Sequence, residues 1–117
     1  MNNYHDYIQV TPIKILVFID KNNKPSVNKV REVLNFIHGD NYMAKSIYID
    51  ELWSLRATSI CRYISEYDAI YITTDSKKER SKIRRWIYET FNFDANIQKY
   101  STIARIYNRY YLFGGWI

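Results

Sequence analysis

The sequence predicts an α/β protein, a three-layer α/β/α sandwich with a mostly parallel sheet of three to four central strands. Residues 13–19 and 69–73 are almost continuously apolar and rich in β-branched types, as strands covered on both faces are. Each run is followed by apolar residues at helical spacing. Strands that alternate with helices form parallel sheets with right-handed crossovers.

Composition predicts one intracellular domain over residues 1–117. The chain is 47% hydrophobic and 25% charged, which is ordinary for a globular protein. No apolar run approaches the ~20 residues that span a bilayer, and the first residues do not resemble a signal peptide. We therefore expect a cytoplasmic protein with no membrane association. Abundant Ile, Tyr, Lys and Asn indicate AT-rich codons, as in an AT-rich microbe or its virus, and a viral protein would lie in the host cytoplasm.

The first half of the chain predicts a strand, a helix and a second strand. Residues 7–10 alternate in polarity and precede Thr-Pro, which favours an edge strand or an extended arm. After the strand at 13–19, Ser26 is a good N-cap for a helix that ends near Gly39. Its apolar positions recur at helical spacing: Val27, Val30, Leu34 and Ile37. Residues 44–49 then form the second strand.

The second half repeats this unit. Asp50 is predicted to cap a helix that ends around 66–68, with one buried face made of Leu52, Trp53, Ala57, Ile60, Cys61 and Ile64. After the strand at 69–73, Asp75 or Ser76 caps a helix whose inward stripe is Ile83, Trp86, Ile87, Thr90 and Phe91. A short strand at 97–100 precedes a last helix opened by Ser101, with Ile103, Ile106, Tyr107 and Tyr110 on one side.

Two aspartates follow the apolar runs and mark a candidate site. Asp20 ends the first run, and Asp75 comes two residues after the run at 69–73. In an open α/β sheet, ligands bind in the crevice outside the carboxyl ends of the strands. The alternative is that these are ordinary strand-end aspartates and that Asp75 caps the next helix.

The net charge of +5 is confined to one predicted helix. Residues 77–85 contain six bases and one acid, Glu79, while the remaining 11 bases and 11 acids of the chain cancel. A neutral body with one basic helix is typical of phosphate-backbone contacts. The predicted nucleic-acid-binding residues are Lys77, Lys78, Arg80, Lys82, Arg84 and Arg85. A solvated helix face and an acidic protein partner are the alternatives.

Residues 72–83 resemble the third-strand motif of the Toprim domain, found in topoisomerases, primases and recombination nucleases. That motif is an apolar strand followed by Thr-Asp-x-Asp-Arg-Glu-Gly-Glu and a helix with an Ile. Thr74, Asp75, Glu79 and Ile83 fall on matching positions, and Lys78 stands at the family's Arg.

The resemblance implies a degenerate Toprim-like domain with three candidate catalytic residues, Asp20, Asp75 and Glu79. Asp20 falls near the family's catalytic Glu. The second motif Asp is replaced by Lys77, and the Gly and second Glu by Arg80 and Ser81. Mg²⁺ can be held by one or two carboxylates plus substrate phosphates, so Asp20 and Asp75 are the candidate metal ligands and Mg²⁺ the candidate cofactor, although a nearby lysine would compete with it.

The same strand ends also resemble the PIN and NYN nucleases. Residues 18–23, Phe-Ile-Asp-Lys-Asn-Asn, are similar to that group's Asp-x-x-Asn start, and Thr74-Asp75-Ser76 to its Gly-Asp-Ser turn. The next acidic position of that motif is again Lys77. The two resemblances cover about half of the chain.

Other chemistry lacks candidate residues. The chain contains no dinucleotide fingerprint, P-loop or nucleophile elbow. Cys61 lies in an apolar helical pattern, which favours a buried structural thiol. His5 and His38 do not have metal-ligand spacing, so no zinc site is expected.

These patterns favour a small nucleic-acid-associated protein that grips phosphates through its basic helix. The alternative is a non-catalytic interaction or regulatory protein of a virus or mobile element. An active Mg²⁺-dependent nuclease is the third hypothesis. Residues 106–117 carry more apolar side chains than one helix face can hold. Either the last residues fold back over an exposed part of the core, or this aromatic C-terminal segment packs against a second copy in a homodimer, which is the alternative we favour.

Overall fold

A computed structural model describes residues 11–112 of the chain. Four strands alternate with four α-helices in this range. Short 3-10 turns at Ile49–Glu51 and Ile64–Glu66 flank the second helix. The elements in chain order are β1 (Ile13–Ile19), α1 (Val27–His38), β2 (Tyr42–Tyr48), α2 (Leu55–Cys61), β3 (Ala69–Ile72), α3 (Lys77–Phe91), β4 (Ile97–Lys99) and α4 (Tyr100–Leu112).

The four strands form one parallel sheet in the order β2-β1-β3-β4. β1 is central, and its Phe18 lies beside Ile47 of β2 on one side and Ile72 of β3 on the other. The predicted fold class, α/β with a parallel sheet, is therefore confirmed. Within residues 11–112, no helix is long and apolar enough to cross a membrane.

Two hydrophobic cores cover the two faces of the sheet, which explains why the strand sequences are apolar without interruption. α2 and α3 pack on the face that carries Phe18 and Ile72. α1 and α4 pack on the face that carries Val17 and Tyr71. Because successive strand residues point to opposite faces, both sets of side chains are buried. The layers are helices, sheet and helices.

The second helix differs from its prediction. It begins at Leu55, and its N-cap is Ser54, whose side chain accepts a hydrogen bond from the Ala57 N–H at 3.0 Å. The predicted cap, Asp50, lies in the preceding 3-10 turn. Trp53, predicted to face inward, is 77% exposed. The predicted helix does not extend through this segment. The Glu51 carboxylate accepts a hydrogen bond from the Tyr48 N–H, and this closes a turn before α2 starts.

Besides Trp53, four residues predicted to face the core are exposed instead: Val27, Thr90, Ile106 and Tyr110. For Tyr110 of α4 the reason is the length of the helix. Its 13 residues extend about 20 Å, whereas the three residues of β4 extend about 10 Å. A helix of that length overhangs the strand that it covers, which leaves Tyr110 exposed near its end. Ile106 lies between the buried Ile103 and Tyr107 and is exposed because it is on another side of the helix.

The remaining differences are at element ends. β2 spans Tyr42–Tyr48 where 44–49 was predicted, β4 ends at Lys99, and α4 begins one residue before Ser101. The predicted arm at 7–10 and the end of the aromatic tail lie outside the described residues. The prediction of a single domain stays a prediction.

Candidate functional site

The strand order places a topological switch point between β1 and β3. The loop after β1 leads to α1 on one face of the sheet, and the loop after β3 leads to α3 on the other face. Loops that diverge in this way leave a crevice at the carboxyl edge of the sheet, where doubly wound folds bind their ligands. Asp20 and Asp75 both lie in these loops, as predicted.

Thr73 ties the two loops together. It is buried, and its backbone N–H donates to the Phe18 carbonyl at 3.0 Å. Its Oγ1 accepts the Asp20 N–H at 2.9 Å, and its carbonyl accepts Nδ2 of Asn23 at 2.7 Å. The loop after β1 is further closed by the Asn22 N–H, which donates to Oδ1 of Asp20 at 3.0 Å. The carboxyl edge is therefore a hydrogen-bonded frame.

Asp20 and Asp75 open onto different clefts, on opposite sides of this frame. Phe18 pairs with Ile72, so an extended chain would put Thr74 beside Asp20 and Asp75 one residue further. Successive residues of an extended chain point to opposite faces. Asp20 accordingly lines a cleft on the α3 side, and Asp75 lines a cleft on the α4 side.

The cleft on the α3 side has a volume of about 400 Å³ and contains acids and lysines together. Asp20, Asp50 and Glu79 line it with Lys21 and Lys82. Nζ of Lys21 lies 2.7 Å from Oδ2 of Asp50, and that contact raises the pKa of Lys21. Within residues 11–112, no three His, Cys, Asp or Glu side chains are grouped so that they could hold a metal ion.

The cleft on the α4 side, which we call the switch-point cleft, is larger, at about 610 Å³. Its floor comes from the strand-end loops, and its wall is one face of α4. The polar residues that line it are Asn23, Lys24, Thr73, Asp75, Ser101, Arg105, Asn108 and Arg109. Four of these lie on α4 at spacings of four, three and one residues, so they form one polar stripe along the helix.

Asp75 is not a helix cap. Ser76 caps α3 by accepting the Glu79 N–H at 3.2 Å, and Thr74 Oγ1 accepts the Ser76 N–H at 3.2 Å. Oδ1 of Asp75 instead accepts a hydrogen bond from Oγ of Ser101 at 2.5 Å. The capping alternative for Asp75 is therefore wrong, and its carboxylate belongs to the wall of the switch-point cleft.

The basic helix keeps most of its charge unpaired. By helical spacing its cations form two flanks, Lys77, Arg80 and Arg84 on one and Lys78, Lys82 and Arg85 on the other. Arg80 is half-buried, and the others are exposed. Only Arg84 has an ion-pair partner within residues 11–112, since its Nη2 lies 2.8 Å from Oδ1 of Asp94. Five of the six residues predicted to bind phosphate thus have no ion-pair partner among the described residues.

Neither Cys61 nor His38 is placed for catalysis. Cys61 is fully buried between α2 and the sheet, and burial raises the pKa of its thiol to about 12. Nε2 of His38 lies 2.7 Å from the hydroxyl of Tyr71, and burial lowers the pKa of this histidine. His38 ends α1, at the amino edge of the sheet and away from both clefts.

The arginines of α4 were missed by the sequence analysis. The signal that could have found them is the polar stripe of Ser101, Arg105, Asn108 and Arg109, which recurs at helical spacing. Comparisons of the chain with protein-family models, curated proteins and solved structures found no match.

Proposed function

We propose that the protein binds nucleic acid without sequence preference, through contacts of α3 with the phosphate backbone. The observation that supports this most directly is the set of five α3 cations without an ion-pair partner among the described residues. The 11 bases outside residues 77–85 are balanced by 11 acids, so the excess positive charge is concentrated on this helix. When such cations neutralise phosphates, the nucleic acid releases its condensed counterions, and this favours binding.

The test is a salt series. Fluorescence anisotropy would measure the affinity of the full chain for labelled duplex DNA, single-stranded DNA and RNA of unrelated sequences. We expect affinity to fall linearly on a double-logarithmic plot against salt, and to vary little between sequences of one polymer type. Absence of binding to all three polymers at low salt would refute the proposal.

A charge variant assigns the contact to α3. The triple substitution Lys78→Gln, Lys82→Gln and Arg85→Gln removes one flank and should flatten the slope by roughly 2 to 3, at about 0.7 to 0.9 for each lost contact. The matched control removes three exposed cations from other elements, Arg31, Lys45 and Arg62, and lowers the net charge equally. Equal effects of the two variants would show attraction by net charge alone and would remove α3 from its role.

An exposed aromatic surface favours self-association as a second candidate function. Tyr110, Tyr111 and Leu112 of α4 are 48%, 60% and 64% exposed. Phe36 of α1 extends the same surface, with its ring centroid 4.7 Å from that of Tyr110. Aromatic side chains are enriched at interface cores. This surface supports an oligomeric interaction protein, and it is compatible with nucleic-acid binding through α3.

A further inference from the structure

The switch-point cleft has a charged face that the proposed role of α3 does not use. Arg105 and Arg109 lie one helical turn apart on the face of α4 that lines the cleft. Both are exposed, and neither has an ion-pair partner within residues 11–112. Like charges four residues apart on a helix repel each other and destabilise the helix. An anion bound between the two guanidinium groups would reduce this repulsion.

Arginine narrows the chemistry of that anion. The guanidinium group is a planar fork of donors that matches the oxygens of a phosphate or carboxylate, and it forms bidentate charge-assisted hydrogen bonds with them. The only glycine among the described residues is Gly39, which ends α1. A glycine-rich backbone cradle is therefore absent from residues 11–112, and the cationic side chains that line the cleft are the available anion contacts.

The opposite end of the cleft presents an acceptor. One oxygen of Asp75 accepts the Ser101 hydroxyl, and the second oxygen has no hydrogen-bond partner among residues 11–112. At 1.5 Å per helical residue, Arg105 lies about 6 Å and Arg109 about 12 Å along α4 from Ser101. The cleft therefore joins an anion-binding end to an acceptor end. Between them, the amide of Asn108 can donate or accept a hydrogen bond.

We propose that the switch-point cleft binds a nucleotide by its phosphate, with Arg105 and Arg109 on the phosphate and Asp75 on a sugar hydroxyl or base N–H. A nucleotide combines one anionic end with several donors at the other end, which is the polarity of the cleft. Asp75 would repel a ligand that is anionic throughout, such as an acidic peptide. The volume of about 610 Å³ falls within the ~300–1,000 Å³ of small-ligand sites.

The same chemistry has two sources, a free nucleotide or the phosphorylated end of a nucleic-acid strand. α3 begins at this edge of the sheet, two residues after Asp75, so a strand held by α3 could bring its end to the cleft. The nucleotide site does not depend on that role of α3, because different residues carry it.

The test compares ligands by calorimetry on the full chain. The probes are nucleoside 5′-monophosphates, the corresponding nucleosides, inorganic phosphate, and one oligonucleotide with a 5′-phosphate or a 5′-hydroxyl. We expect saturable binding of monophosphates, weaker binding of nucleosides and phosphate, and tighter binding of the phosphorylated oligonucleotide than of its hydroxyl form. If the monophosphate binds more tightly than the phosphorylated oligonucleotide, the ligand is a free nucleotide. The opposite order identifies the end of a nucleic-acid strand.

The variants then locate the site. Substitution of Arg105→Gln and Arg109→Gln should weaken monophosphate binding by about tenfold or more, since loss of one charged hydrogen bond has an effect of that order. The Lys78→Gln, Lys82→Gln, Arg85→Gln variant should bind monophosphates as the wild type does, so failure of either proposal is recognised separately. Asp75→Asn should weaken nucleotide binding and leave phosphate binding unchanged or tighter.

Three outcomes would overturn the nucleotide site. The first is absence of saturable monophosphate binding at millimolar concentrations. The second is equal binding by the wild type and the double arginine variant, with both melting at the same temperature. The third is inorganic phosphate that binds as tightly as the nucleotide, which would leave no role for Asp75 or the sugar.

Discussion

Replacement of Thr73 by valine tests whether one hydroxyl holds the carboxyl edge together. The substitution keeps the shape of the side chain and exchanges Oγ1 for a methyl group. Thr73 is 3% exposed, and its Oγ1 accepts the Asp20 N–H at 2.9 Å. The valine leaves this partly buried N–H without its acceptor. The two backbone hydrogen bonds of Thr73, with Phe18 and Asn23, are formally retained.

The expected loss follows from the desolvation of that N–H. An unsatisfied buried donor costs about 1–3 kcal/mol, and a partly buried position lies toward the low end, at about 1–1.5 kcal/mol. Globular proteins unfold with an entropy of about 2.1 cal/mol/K per residue near 60 °C, or about 0.25 kcal/mol/K for 117 residues. The melting temperature should therefore fall by about 4–6 °C.

Circular dichroism would measure the melting temperature, with Thr58→Val as the matched control. The hydroxyl of Thr58 donates to the Ser54 carbonyl, which also accepts the Thr58 N–H, so this valine leaves no group without a partner. We expect the control to change stability by less than about 0.5 kcal/mol. Hydrogen exchange should also quicken at Asn22 and Asn23 in the Thr73 variant. Equal melting temperatures for the two variants would refute the role of the Thr73 hydroxyl.

Three further predictions concern metal, pH and assembly. Since Asp20 and Asp75 line separate clefts, Mg²⁺ or Mn²⁺ should barely raise the melting temperature; a clear stabilisation or cleavage activity lost in the Asp20→Asn, Asp75→Asn variant would contradict this. Burial lowers the pKa of His38 below its ordinary value of 6.5. Between the lowered pKa and 6.5 the unfolded chain binds more protons than the folded chain, so stability falls as the pH drops through that range. The urea midpoint should depend less on pH for His38→Gln than for the wild type, and an unchanged pH dependence would contradict this contribution of His38. Light scattering should find a dimer that a chain ending at Phe113 does not form; monomers in both cases would exclude the dimer.

The fold could be predicted because its strands are buried on both faces. Burial on both faces produces apolar runs without alternation. For this reason the predicted bounds of β1, residues 13–19, are the same as the observed bounds. The ends of α1 were also predictable from local chemistry. The Ser26 side chain accepts the Lys29 N–H at 3.1 Å, and Gly39 takes the positive φ of 80° that its position requires.

The separation of the two aspartates depends on information that no local pattern contains. Both follow apolar runs, and both belong to the carboxyl edge, so the sequence predicts that they meet. In the structure they do not meet. The register of β1 against β3 offsets Asp75 from Asp20 by one residue, so Asp75 is on the opposite face. Likewise, Arg105 and Arg109 reach the site only because α4 packs beside α1. The polar stripe of α4 can be found in the sequence, but the sequence does not show which element α4 packs against.

The placement of charge along α3 bears on why the helix is basic. A helix is stabilised by acids in its first turn and bases in its last, by about 0.3–1 kcal/mol each. α3 begins with Lys77 and Lys78, has only Glu79 as an acid in the first turn, and has no base in its last turn. A helix face shaped for solubility alone would gain from the opposite order. The unfavourable order concentrates both the lysines and the positive end of the helix dipole at the carboxyl edge of the sheet. Local rules are commonly broken at functional sites, and this reversal is consistent with the proposed binding of phosphate at that edge.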